Sequence, residues 1–236
     1  PRPAIDRQGH IGFHQQSQDG AHYLGVALEM GRLSPEQMRT LGKVALLHGR
    51  NDIRLTVWQN VLIPHLPSAV LEEVKGLVEA QAMKTSATAF AAGAVACTGK
   101  MGCKLALAYT KENGTDLVRH LEQRFTLDQP INIHLTGCPN SCAQHYIGDI
   151  GLVGAAAPGG GEGYHIVLGG GADLDQGLAR PLCGPVPSDD IYPILEHVVG
   201  SYLKRRTGQE SFLHFVRGLT DEELLTLLPS KLPSAA

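Results

Sequence analysis

No apolar stretch approaches the roughly 20 residues that a bilayer-spanning helix needs, and the first residues lack the charged-then-apolar layout of a secretion signal. A membrane setting and an exported one are both set aside, and the cytoplasm or a plastid stroma is expected. Charge of one sign is also scarce. The formal net charge is -3, with 18% charged residues, so no basic field invites nucleic acid. There is no internal repeat and no heptad pattern. The Gly-rich stretches at 159–163 and 169–171 do not give G-x-G-x-x-G between a strand and a helix, which excludes a dinucleotide loop and leaves them as turns.

Against these absences stand 43% hydrophobic residues over 236 positions, enough to fold by burial alone, and 28 Gly and 14 Pro, which call for many tight turns. An odd count of five cysteines, in a chain without a secretion signal, argues for metal ligation or redox work more than for a disulfide framework. Four of them form two pairs. Cys97 and Cys103 lie in ACTGKMGCK, and Cys138 and Cys142 lie in TGCPNSCAQ. Each pair is close enough for one loop to aim two thiolates inward. Four soft thiolates suit a Cys₄ zinc site or a 4Fe–4S cube, with unligated buried thiols as the remaining alternative. Zinc ribbons usually use two-residue gaps, and a cube accepts longer arcs. Gly99, Gly102 and Gly137 leave room for backbone N–H groups to reach the sulfurs. Cys183, in RPLCGPVP, has no partner at ligand spacing and reads as a structural thiol.

Residues 20–82 read as a small α+β unit of order β-α-β-(β)-α. YLGVALE gives a strand, and Ser34-Pro35-Glu36-Gln37 then starts a helix that Gly49 ends. Strands follow over Ile53–Trp58 and Val61–Ile63, with Pro64 as the stop and a helix opening at Pro67-Ser68. Beyond Ser86, an Ala- and Gly-rich run delivers Cys97. Further on, the pattern predicts a helix over Lys104–Arg124 interrupted near Gly114, and a strand over Ile131–Leu135. Two more strands follow at Asp149–Val153 and Tyr164–Leu168. Helices at about Ser188–Arg205 and Asp221–Leu228 close the chain.

The two cysteine motifs in their context, CTGKMGCKLA and HLTGCPNSCAQHYIGDIGLVG, together with IRLTVWQNVLIP and GYHIVLGGG, resemble the C-terminal half of the sirohaem-dependent nitrite and sulfite reductase family, over about Gly12 to Leu228. The resemblance implies an α+β chain in two parts: a ferredoxin-like half-domain over 1–84, then a mixed α/β domain over 85–236 that binds sirohaem and a 4Fe–4S cluster. It implies that Cys97, Cys103, Cys138 and Cys142 hold the cluster, with Cys142 also bridging to the sirohaem iron. It further implies a six-electron reduction of nitrite to ammonia or of sulfite to sulfide, fed by ferredoxin or a similar donor. The cysteine contexts look more like the nitrite branch.

Sirohaem carries many carboxylates, so its pocket needs cations and amide donors, and Arg54, Gln59, Asn60 and Asn140 are the candidates. His134 and His145 flank the second cysteine pair and are expected to be structural. The sequence departs from the family pattern in two places. Lys100 follows Cys-Thr-Gly where Asn is common, and Trp58 stands where a first-half motif would carry Arg. Pro1 is not an initiator Met, and a first half that supplies the cations for the substrate anion is expected to precede it; the alternative is a single-half chain that serves as a sirohaem and iron–sulfur electron-transfer module, pairing with itself to restore the twofold body.

Overall fold

Ser34-Pro35-Glu36-Gln37 starts a helix as its order predicts, in a computed structural model that describes residues 9–172 and 175–231. Ser34 Oγ accepts from Gln37 N, the Gln37 side chain accepts from Ser34 N, and α1 runs from Pro35 to His48. The chain divides into two compact units, the first ending at Ala92 and the second beginning at Gly93. Pro1 itself lies outside the described residues.

The first unit is an antiparallel sheet of order β1-β2-β4-β3, with β1 at Gly12–Gln15, β2 at Ala21–Val26, β3 at Arg54–Leu55 and β4 at Val61–Pro67. α1 packs on β4 and on α2 (Leu71–Glu79). Leu24, Val26, Leu41, Val44, Val61, Ile63, Leu66, Val74 and Val78 meet between sheet and helices, at most 2% exposed. Two expectations need correction. The strand expected over Ile53–Trp58 is only two residues long, because Thr56 and Asn60 tie a turn in which Gln59 takes φ 59°. Conversely, β4 continues through Pro64, where the strand was expected to stop. The register with β2 shifts there, His65 adopts φ 65°, and its N–H turns to Gln16 Oε1 at 2.7 Å, so Pro64 sits at a bulge that needs no ladder donor. β1 carried no legible pattern.

The second unit is a mixed sheet of order β5-β6-β7-β8-β9. β5 (Ala94–Ala96), β6 (Ile133–Thr136) and β7 (Ile150–Ala156) run parallel, while β8 (Glu162–Leu168) and β9 (Arg180–Pro187) add antiparallel strands. α3 (Thr110–Glu122) packs on β5, β6 and α4 (Ile191–Arg205), and α5 (Phe212–Gly218) and α6 (Asp221–Leu225) follow. The core is aliphatic and aromatic, with Ile133, Leu135, Leu152, Tyr164, Ile166, Leu117, Val198 and Phe212 at most 1% exposed. α3 begins at Thr110 and not at Lys104, because residues 104–109 fold back, and buried Gly114 does not interrupt it. RPLCGPVP, expected to be a loop, is strand β9. It pairs with β8 alone, where its prolines need give no ladder donor on the open side. α5 was not anticipated. Among the described residues no helix is long and apolar enough to cross a membrane.

Candidate metal centre

Parallel pairing decides where the cysteines go. In the β5–β6 register Ala94, Val95 and Ala96 lie beside Ile133, His134 and Leu135, so Cys97 and the Gly137-Cys138 step leave the same end of the sheet side by side. Cys97 N donates to Leu135 O at 3.0 Å, and Gly137 N donates to the Cys97 sulfur at 3.1 Å. An N–H on a cysteine sulfur stabilises the thiolate and raises the potential of any cluster it binds.

The two cysteine loops are laced together. Lys100 N donates to Ala108 O at 3.0 Å, which folds the first loop on itself, and Leu107 N donates to Gly137 O at 2.7 Å, which joins it to the second. Gly137 has to be glycine, since a Cβ there would come 2.7 Å from the Ala106 Cβ. Gly99, with φ 66°, would bring a Cβ within 2.6 Å of Thr110 Oγ1. Of the three glycines expected to bring amides to sulfur, Gly137 does so, whereas the N–H of Gly102 goes to Gly99 O.

The second loop is shaped by two histidines. His134, 3% exposed, places Nδ1 2.8 Å from Ala143 O and 3.1 Å from Gln144 O. A carbonyl only accepts, so Nδ1 carries the proton. Ser141 and Gln144 take positive φ, and Ser141 Oγ lies 2.7 Å from His145 Nδ1. Burial pulls the His145 imidazole below its ordinary pKa, which keeps it neutral at pH 7. Both histidines thus act on the loop that carries Cys142.

All five cysteines are free thiols: Cys138 is buried, Cys97, Cys103 and Cys183 are half-buried, and Cys142 is exposed. Among the described residues no three His, Cys, Asp or Glu side chains stand close enough to hold one metal ion together. One zinc needs every sulfur about 2.3 Å from a single point. A cube offers a separate iron to each thiolate and tolerates wider separation. Cys183 is in β9, with its thiol pushed up to about 11 by burial, and is not a thiolate at neutral pH.

The other expected site residues are dispersed. Asn140 is exposed between Cys138 and Cys142. Arg54, Gln59 and Asn60 belong to the first unit. Arg54 is exposed and donates through Nε and Nη2 to Asp52 Oδ2, at 3.1 and 2.8 Å. Gln59 packs its Cβ against Gly31. Asn60, 4% exposed, accepts from Leu28 N at 2.9 Å, and its amide lies 2.9 Å from His10 Nε2. Lys100 lies over the Tyr109 ring, 5.0 Å from its centre. Thr110, whose Oγ1 donates to Cys97 O at 2.7 Å, carries no sequence signal, since it falls inside the helix predicted from Lys104.

Residues 14–81 match the nitrite/sulfite reductase ferredoxin-like half domain, and residues 89–232 match the nitrite and sulphite reductase 4Fe-4S domain. The chain belongs to the nitrite and sulfite reductase family. It is 34% identical over 197 residues to the ferredoxin–nitrite reductase of Synechococcus elongatus, covering 82% of this chain and 38% of that protein. It is 31% identical over 234 residues to a ferredoxin sulfite reductase of Mycobacterium tuberculosis, covering 95% and 42%. The solved structure of the Mycobacterium tuberculosis NirA protein superposes with a TM-score of 0.84 at 31% identity, over 93% of this chain and 41% of that one. The chain therefore spans about two fifths of the length of these relatives. A dissimilatory sulfite reductase I structure, at 12% identity and a TM-score of 0.74, shares the fold.

Proposed function

We propose that this chain is the C-terminal half of a sirohaem enzyme that reduces nitrite to ammonia, and that Cys97, Cys103, Cys138 and Cys142 hold its 4Fe–4S cluster. The observation that carries the reading is the delivery of Cys97 and Gly137-Cys138 to one end of parallel strands, with the Gly137 N–H on the Cys97 sulfur. The residues fit a cluster: soft donors on two loops tied to each other, an amide aimed at a sulfur, and glycines where a side chain would block the approach. When bound, the cluster would supply one-electron storage and the sirohaem the iron at which the substrate anion is reduced.

The chain's own residues do the rest. Cys142, exposed on a loop that His134 and Ser141–His145 hold, is the thiolate that reaches outward and the one we assign to both cofactors. Cys138, buried, would hold the cube at the sheet end. Asn140 offers an exposed amide beside them. In the first unit, exposed Arg54 is the cation we assign to a sirohaem carboxylate; Gln59 shapes the turn that presents it, and Asn60 fixes that turn to Leu28. The fixed cations for an anionic substrate are assigned to a preceding half, and the electron donor to ferredoxin, the donor in the names of both curated relatives.

The branch rests on the CTG and PNSC contexts. It is tested by joining this chain to its preceding half and measuring nitrite and sulfite turnover with a reduced low-potential dye. Preferred nitrite turnover supports the reading, and preferred sulfite turnover assigns the chain to the other branch.

A further inference from the structure

Thr110 is the first residue of α3 and is 0% exposed, yet its side chain is polar and Tyr109, the residue before it, contributes no capping side chain. Its hydroxyl proton is spent on one partner. Thr110 Oγ1 donates to Cys97 O at 2.7 Å, a short bond with a carbonyl that can only accept. The same oxygen lies 3.8 Å from the Cys97 sulfur, and its one proton is already committed to the carbonyl. Thr110 is therefore not a donor to sulfur.

What it does is fix the Cys97 backbone at its second end. Leu135 O holds the Cys97 N–H, and Thr110 holds the Cys97 C=O. With both peptide groups fixed, the Cα–Cβ bond has one direction, toward the Gly137 N–H that meets the sulfur at 3.1 Å. Neighbouring groups reinforce this end. Lys111 Nζ donates to Ala96 O at 3.3 Å. Asn113 donates to Glu162 and, at 2.9 Å, to the hydroxyl of buried Tyr164. Burial and the Glu162 carboxylate push the Tyr164 pKa far up, so that ring brings no charge to the Cys97 side.

We infer that Thr110 is a positioning residue: its hydroxyl aims the Cys97 sulfur at the Gly137 amide and thereby sets the reduction potential of the cluster. The inference rests on the cluster assignment proposed above. Hydrogen bonds to cluster sulfurs raise the potential, so a loosened Cys97 lowers it.

The experiment compares wild type, Thr110→Ser and Thr110→Val in two states. In the reconstituted chain, redox titration followed by EPR is expected to give a more negative midpoint for Thr110→Val and a wild-type midpoint for Thr110→Ser, which keeps the hydroxyl. In the cluster-free chain, alkylation mapped by mass spectrometry, at a pH where Cys97 is ionised in every variant so that access decides the rate, is expected to be several-fold faster at Cys97 in Thr110→Val and unchanged at Cys183. Thr110→Ala replaces Thr110→Val if the latter does not fold. An unchanged midpoint and alkylation rate in the hydroxyl-free variant, or a Thr110→Ser protein shifted as far as it, overturns the inference. Absence of iron and sulfide from wild type overturns the cluster assignment instead, and the alkylation arm then still decides what Thr110 does.

Discussion

The Gly137 N–H meets the Cys97 sulfur at 3.1 Å across two residues that follow neighbouring parallel strands. One amide thus joins the two cysteine motifs that lie 40 residues apart in sequence. A Gly137→Ala substitution keeps the amide but brings a Cβ to 2.7 Å from that of Ala106. Overpacking of this kind costs roughly 1–3 kcal/mol. The expected outcome is a lower melting temperature together with poor cluster retention, read by calorimetry and by visible absorption. A variant with wild-type absorption and melting temperature would show that the loop accommodates a Cβ at position 137 and that glycine is not required there.

Cys142→Ser is expected to remove or disturb the cluster spectrum, and Cys183→Ser to leave it intact. Cys183 sits in β9 with its thiol held protonated by burial, and its sequence has no second cysteine at ligand spacing. Loss of the cluster in Cys183→Ser with retention in Cys142→Ser would reverse the ligand assignment.

That the two cysteine motifs would face one another was legible because spacing and flanking glycines are local properties, and the sheet only had to bring two short motifs together; that they hold one cluster is the proposal above. What β5 would do was not. Ala94–Ala96 is a fully buried three-residue strand of small residues, which has neither alternation nor β-branched enrichment beyond Val95. The strand over Ile53–Trp58 ends early because Thr56 and Asn60 bond across a local turn, a side-chain-to-backbone closure that strand propensity does not carry. Thr110 was lost for a related reason. Its role depends on where Cys97 O lies, and that is fixed by pairing with a strand nearly 40 residues away.

Asn60 and Arg54 should separate stability from cofactor retention. Asn60→Ala removes the acceptor of Leu28 N in a buried turn and is expected to cost roughly 1–3 kcal/mol in denaturant unfolding. Arg54→Ala breaks only an exposed pair with Asp52, worth about 0–1 kcal/mol. Arg54→Ala is expected to keep the fold and weaken sirohaem retention. Equal sirohaem retention in Arg54→Ala and wild type would remove Arg54 from the pocket.

His145 gives a pH signature. Its folded pKa is lowered from 6.5 by burial, so between the two values the unfolded chain binds more protons than the folded one. Its contribution is complete above about 6.5 and is lost as pH falls through the folded value. The cluster-free wild type is therefore expected to lose melting temperature below about pH 6.5 more steeply than His145→Gln. Parallel pH profiles would show that the imidazole is not desolvated.

Iron and acid-labile sulfide, counted per chain after anaerobic purification, test the central claim most directly. The four-cysteine assignment predicts about four of each per chain, falling together in Cys97, Cys103, Cys138 and Cys142 variants. About one zinc per chain with no sulfide would contradict it and make the site a structural metal knot.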